Sequence, residues 1–181
     1  MSTAFVLGNG ESRKIFPIEK LKGEGTIYGC NAIYRDNPDL CDAIISVNPE
    51  MTEELQQAAS ENKIHPNTKI YGKDNLPDFN YVLETDPKND RFRFWSGTNL
   101  KTNASRKLDL SVARGSGCSA IQVACNDNHE NIFIIGFDML GAKQYELNQG
   151  ALSRLQNNVY KNTPNYPDRI NMKAYLKFEW S

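Results

Sequence analysis

The apolar run Phe5-Val6-Leu7 leads directly into Gly8-Asn9-Gly10-Glu11-Ser12, within the first dozen residues of the chain. A strand that breaks on two glycines and then meets a hydroxyl residue reads as strand, tight turn and helix, the opening unit of a layered α/β fold. Gly8 and Gly10 permit backbone conformations and close approaches that a β-carbon would obstruct. Ser12 is placed to cap a helix beginning near Arg13, and the first amides of that helix would face an anion. The same turn also suits a chain that merely has to reverse sharply, so both readings stand at this point. The spacing is GxGxS, without the third glycine of a dinucleotide fingerprint or the lysine and hydroxyl of a Walker loop. A dinucleotide oxidoreductase or a P-loop ATPase is therefore disfavoured.

Further apolar segments recur at 26–28, 43–47, 69–71, 81–83 and 131–135, separated by turn-rich or helical stretches. That alternation predicts a three-layer α/β domain with a mainly parallel sheet. Residues 50–61 form a predicted helix, because Pro49 precedes them and Met51, Leu55 and Ala58 or Ala59 share one face. A second helix is predicted at 116–126, followed by Ile132-Phe133-Ile134-Ile135, which reads as a strand buried on both faces. Between 86 and 107 the chain turns polar and aromatic, with Phe92, Phe94 and Trp95 followed by Lys101, and reads as an ordered excursion. Residues 171–180 have the pattern of an amphipathic terminal helix.

At 181 residues the length suits one domain, 1–181, with 139–181 available as a lid or acceptor region. A net charge of −1 gives no basic field for nucleic acid. No apolar run reaches the ~20 residues of a membrane span, and Met1-Ser2-Thr3 lacks the features of a signal peptide, so a cytoplasmic protein is expected. Cys30, Cys41, Cys118 and Cys125 are too scattered for a zinc or redox motif, and His65 and His129 are the only histidines. No metal site and no tightly bound cofactor are expected. The aromatic segment near Trp95 could face an acceptor, the domain's own core or a second subunit, which leaves a homo-oligomer open.

Three asparagines fall at the ends of the first three predicted strands: Asn9, Asn31 and Asn48. Ligands of open parallel sheets bind outside the carboxyl ends of the strands, and an amide side chain offers donors and an acceptor to a base, ribose or phosphate. Asparagine is also a common turn residue. Downstream, Arg114-Gly115-Ser116-Gly117 introduces the second helix as a candidate anion cradle or a glycine-rich cap. Arg114 would add charge toward a phosphate. Asp138 ends the last strand and could accept from a sugar hydroxyl or cap the next turn.

The segments Leu7-Gly8-Asn9-Gly10-Glu11-Ser12, 28–34, Val47-Asn48-Pro49, 115–120 and 132–138, taken in order, resemble the nucleotide-binding core of bacterial lipooligosaccharide sialyltransferases. They are also similar to related Rossmann-like proteins, including flagellin-modifying glycosyltransferases and archaeal pterin diphosphokinases. The resemblance covers about the first 140 residues and implies a Rossmann-like domain that takes a nucleotide-activated sugar, of the CMP-sugar type, and a glycan acceptor. It further implies that Gly8, Asn9, Gly10 and Ser12 approach the phosphate. Asn31 and Asn48 would hold nucleotide and sugar, while Ser116, Gly117 and Asp138 complete the pocket. The sialyltransferases use a C-terminal histidine as base and tyrosines to assist the departing phosphate. This chain has no histidine after His129, which leaves Asp138 as the carboxylate for acceptor activation. Tyr145, Tyr160 and Tyr166 could serve a lid or pack at a rim. The rival readings are a magnesium-dependent diphosphokinase-like phosphotransferase and a non-catalytic nucleotide-binding module.

Overall fold

The computed structural model describes residues 2–73, 81–86, 89–97, 115–138, 158–160 and 163–166. Seven strands make one sheet: β1 (Thr3–Leu7), β2 (Thr26–Cys30), β3 (Ala43–Ile45), β4 (Lys69–Lys73), β5 (Tyr81–Asp86), β6 (Asn89–Gly97) and β7 (Asn131–Ile135). Their order is β5-β6-β4-β3-β2-β1-β7. Six run parallel, and β5 pairs antiparallel with β6. The fold is thus α/β and Rossmann-like, and the strand order reverses direction between β1 and β7. In such sheets that reversal opens a crevice at the carboxyl ends of the two strands.

Strand alternation builds two cores. Leu7, Ile27, Ile44 and Ile70 point to one face, where they pack with Met51 and Leu55 of α1 (Pro49–Ser60). Val6, Tyr28, Ile45 and Tyr71 point to the other, against Ala120 and Val123 of α2 (Ser116–Asn126). Both faces of the central strands are apolar because both are covered. Asn48 caps α1: its Oδ1 accepts from the Met51 amide at 3.0 Å, and Pro49 occupies the first turn, where its missing N–H costs nothing.

Three sequence expectations need correction. No α-helix starts near Arg13; Glu11–Ile15 is a 3-10 segment that opens on Gly10, with Ser12 inside it rather than capping it. Part of the expected excursion at 86–107 is β6, a strand hidden in the sequence by the charges of Asp90, Arg91 and Arg93. The four-residue apolar run is the strand β7, but it lies at the end of the sheet and is not buried on both faces. Phe133 and Ile134, on opposite faces of the strand, are 54% and 51% exposed, and among the described residues β7 is the last strand of its side of the sheet. Among the described residues no helix is long and apolar enough to cross a membrane. Lys101, Arg114, Tyr145 and residues 171–180 lie outside the described residues.

Candidate functional site

The carboxyl ends of β1, β2, β3 and β7 bring most of the sequence candidates to one edge of the sheet. The β1 turn is tied to the β7 turn through its backbone: Gly8 N–H donates to the Ile135 carbonyl at 2.8 Å and Gly10 N–H to that of Gly136 at 2.7 Å. The approach is close enough that a β-carbon on Gly8 would lie 2.3 Å from the Gly136 oxygen, and one on Gly10 would lie 2.4 Å from Cγ of Asp138. Both glycines are therefore required by the packing of two turns. Asp138 accepts from the Ser12 amide at 2.8 Å and from the Ser12 hydroxyl. Its carboxylate thus supplies, from the end of the neighbouring strand, the charge that suits a helical first turn.

Asn9 is buried and fully committed. Its Nδ2 donates to the Cys30 carbonyl at 3.1 Å and to the Tyr166 hydroxyl at 3.2 Å, while its Oδ1 accepts from Arg13 at 3.1 Å. Arg13, which the sequence reading passed over, is 3% exposed. Its guanidinium donates to the Gly8 carbonyl, to Asp36 and to the Tyr160 hydroxyl, and lies 5.4 Å from the centre of the Tyr160 ring. Tyr160 in turn donates to Asp36 at 2.7 Å. Burial, together with the hydrogen bond to Asp36, keeps the Tyr160 hydroxyl protonated against the opposing pull of Arg13. Burial likewise pushes the Cys30 thiol up to about 12, so it is no nucleophile at neutral pH.

Tyr160 and Tyr166 therefore belong to the core behind the β1 turn, and are not at a wet rim. The strand-like contact of Gly10 with Asn158, and the Val159 amide donating to the Asn9 carbonyl at 2.9 Å, bind this C-terminal strap to the turn. Nothing short of spatial information could have paired Arg13 with residues 147 positions away.

On the α2 side the arrangement differs. Asn31 follows β2 with φ 52°, a left-handed conformation that asparagine tolerates better than most residues. The Ser116 hydroxyl donates to Asn31 Oδ1 at 2.8 Å and accepts from the Val47 amide at 3.2 Å. One hydroxyl thus joins the ends of β2 and β3 to the start of α2. That helix opens on Gly115, an N-cap residue with no side chain to bond the first turn. Its dipole and its leading amides form the most anion-ready feature of this edge. The Phe137 ring packs on the same turn: a β-carbon on Gly117 would sit 2.5 Å from Phe137 Cε1. The sequence signal for Phe137 was its place between Gly136 and Asp138, where attention fell on the carboxylate alone.

Neither histidine reaches this edge. His65 precedes β4 and His129 precedes β7, which puts both at the amino ends of strands. An open cleft of about 870 Å³ lies elsewhere, against α1, lined by Tyr34, Arg35 and a row of glutamates that includes Glu50, Glu53 and Glu61. Glu54 there is held by Arg35, Tyr34 and Asn165. Glutamates outnumber the cations Arg35 and Lys63 in its lining, which opposes a phosphate. No family model, curated protein or solved structure matches the chain.

Proposed function

We propose that the chain binds a nucleotide or nucleotide-activated sugar at the carboxyl edge of its sheet and that its activity is glycosyl transfer to a glycan acceptor. The observation that carries this reading is the first turn of α2, which opens on a glycine beside Asn31 and Ser116, next to the β1/β7 reversal. In this reading the phosphate of the donor takes the amides at Ser116 and Gly117. Asn31 and Asn48 orient the nucleotide and sugar. Arg114, immediately before the turn in sequence, adds positive charge.

Transfer then consists of attack by an acceptor hydroxyl on the anomeric carbon while the bond from that carbon to the phosphate oxygen breaks. The helix amides stabilise the charge that develops on the departing phosphate, and Asp138 takes the proton of the acceptor hydroxyl. Asp138 has to release Ser12 to do so. The resemblance to sialyltransferases favours CMP as the nucleotide.

Release of CMP from a CMP-sugar by the purified protein, with and without magnesium, tests the reading. Release independent of magnesium and lost in Asp138→Asn supports it. Consumption of ATP only with magnesium, and no CMP release, would replace it with phosphotransfer.

A further inference from the structure

Three glycines from two different elements face the same short turn. Open space beside a glycine commonly marks the close approach of a backbone or a ligand; here residues 136–138 fill it at every position. A β-carbon would meet Phe137 Cδ2 at 2.8 Å from Gly8, Phe137 Cε1 at 2.5 Å from Gly117, and Asp138 Oδ1 at 2.5 Å from Gly10. Phe137 therefore spans the distance between the β1 turn and the first turn of α2. Gly136 adopts φ 75°, a conformation open to glycine, and the turn is fastened by the Gly10-to-Gly136 bond and the Asp138–Ser12 contacts.

We infer that the Gly136-Phe137-Asp138 turn is a self-occupying plug of the proposed nucleotide site, with Gly136 as its hinge, and that it withdraws when a nucleotide enters. The inference rests on the nucleotide reading and adds a regulatory step to it. The Phe137 ring packs against Gly117, in the turn of α2 that a phosphate would use, and the Asp138 carboxylate puts a like charge beside the path of an anion. Withdrawal removes both obstacles. It also frees Asp138 from Ser12, so that opening the site and delivering the carboxylate to the acceptor become one motion. The cost of withdrawal lowers apparent affinity by the fraction of molecules that are open.

Calorimetric titration with CMP of the wild type, Phe137→Ala and Phe137→Leu tests the plug, paired with amide hydrogen exchange on the wild type. Removal of the ring is expected to tighten binding about ten-fold, as for a site open in roughly one molecule in ten, with Phe137→Leu intermediate. Exchange at the Gly10 amide is expected to accelerate on addition of CMP, because its acceptor leaves with the turn, whereas a ligand that only covers the site would slow it. Equal or weaker binding by a folded variant, or slowed exchange at Gly10 with CMP bound, overturns the plug and leaves the nucleotide reading standing. Should Phe137→Ala not fold, Phe137→Leu and the wild-type exchange decide. No binding of CMP by any of the three proteins overturns the nucleotide reading and the plug together.

Discussion

The two flanks of the β1 turn use polar residues in opposite ways. Toward the strap at 158–160 and 163–166, Asn9, Arg13, Asp36, Tyr160 and Tyr166 bond to one another and to backbone carbonyls. Toward α2, Asn31 and Ser116 stand beside a helix whose N-cap is a glycine, with no side chain of its own to cap it. Polar residues at strand ends can thus be architecture on one flank and a candidate binding surface on the other. Residue type alone does not separate the two, since an asparagine sits on each. What separates them is whether the amide is saturated by its own chain, as burial demands.

The comparison predicts that variants on the strap flank change stability, and variants on the α2 flank change binding. Arg13→Ala should have the largest effect. It leaves the Asn9 amide oxygen and the Gly8 carbonyl without their donor, and a loss of about 2–4 kcal/mol is expected in denaturant unfolding. A loss under ~0.5 kcal/mol would mean that this flank is not the structural one. Gly8→Ala comes next, at about 1–3 kcal/mol, because the Gly136 carbonyl that blocks its β-carbon is held in place by the Gly10 amide and would have to give up that bond. Tyr166→Phe removes the hydroxyl that accepts from Asn9 and, at 3.4 Å, from the Ala32 amide; about 1 kcal/mol is expected.

The smallest effect at neutral pH belongs to Glu54. Partial burial pushes its carboxyl up, but hydrogen bonds from Arg35, Tyr34 and Asn165 outweigh burial and hold it below the usual value of 4.5. A carboxyl depressed in the folded state stabilises the protein above its unfolded pKa, and that contribution is lost as pH falls through the folded value. Glu54→Gln should therefore cost at pH 7 the small contribution of the pair, under about 1 kcal/mol, and flatten by the same amount the acid side of a stability–pH curve below about pH 4.5. An unchanged acid limb would show that the Arg35–Glu54 pair contributes nothing.

Much of the scaffold was legible in the sequence because burial is written in its periods. The run at 4–7 and the helical spacing of Met51, Leu55 and Ala58 each report a covered face. The position of β7 at the end of the sheet was not legible. An apolar run records that a strand wants cover, not whether a neighbour supplies it. The candidate site was legible as a set of strand ends, since Asn31, Ser116 and Asp138 converge on one edge. Its internal commitments were hidden, because Arg13, Asp36 and Tyr160 become partners only through the fold. The glycines were the most ambiguous residues: Gly8, Gly10 and Gly117 make room, and the sequence does not say for what.

The central claim is that the α2 flank takes a nucleotide. A thermal-shift titration of the wild type and Asn31→Gly against CMP tests it most directly, because glycine keeps the left-handed backbone at 31 while removing the amide. The account predicts a rise of several degrees for the wild type at ~100 times its dissociation constant, and a much smaller rise for a variant of nearly unchanged intrinsic melting temperature. Equal shifts in the two proteins, or no shift in the wild type, would contradict it.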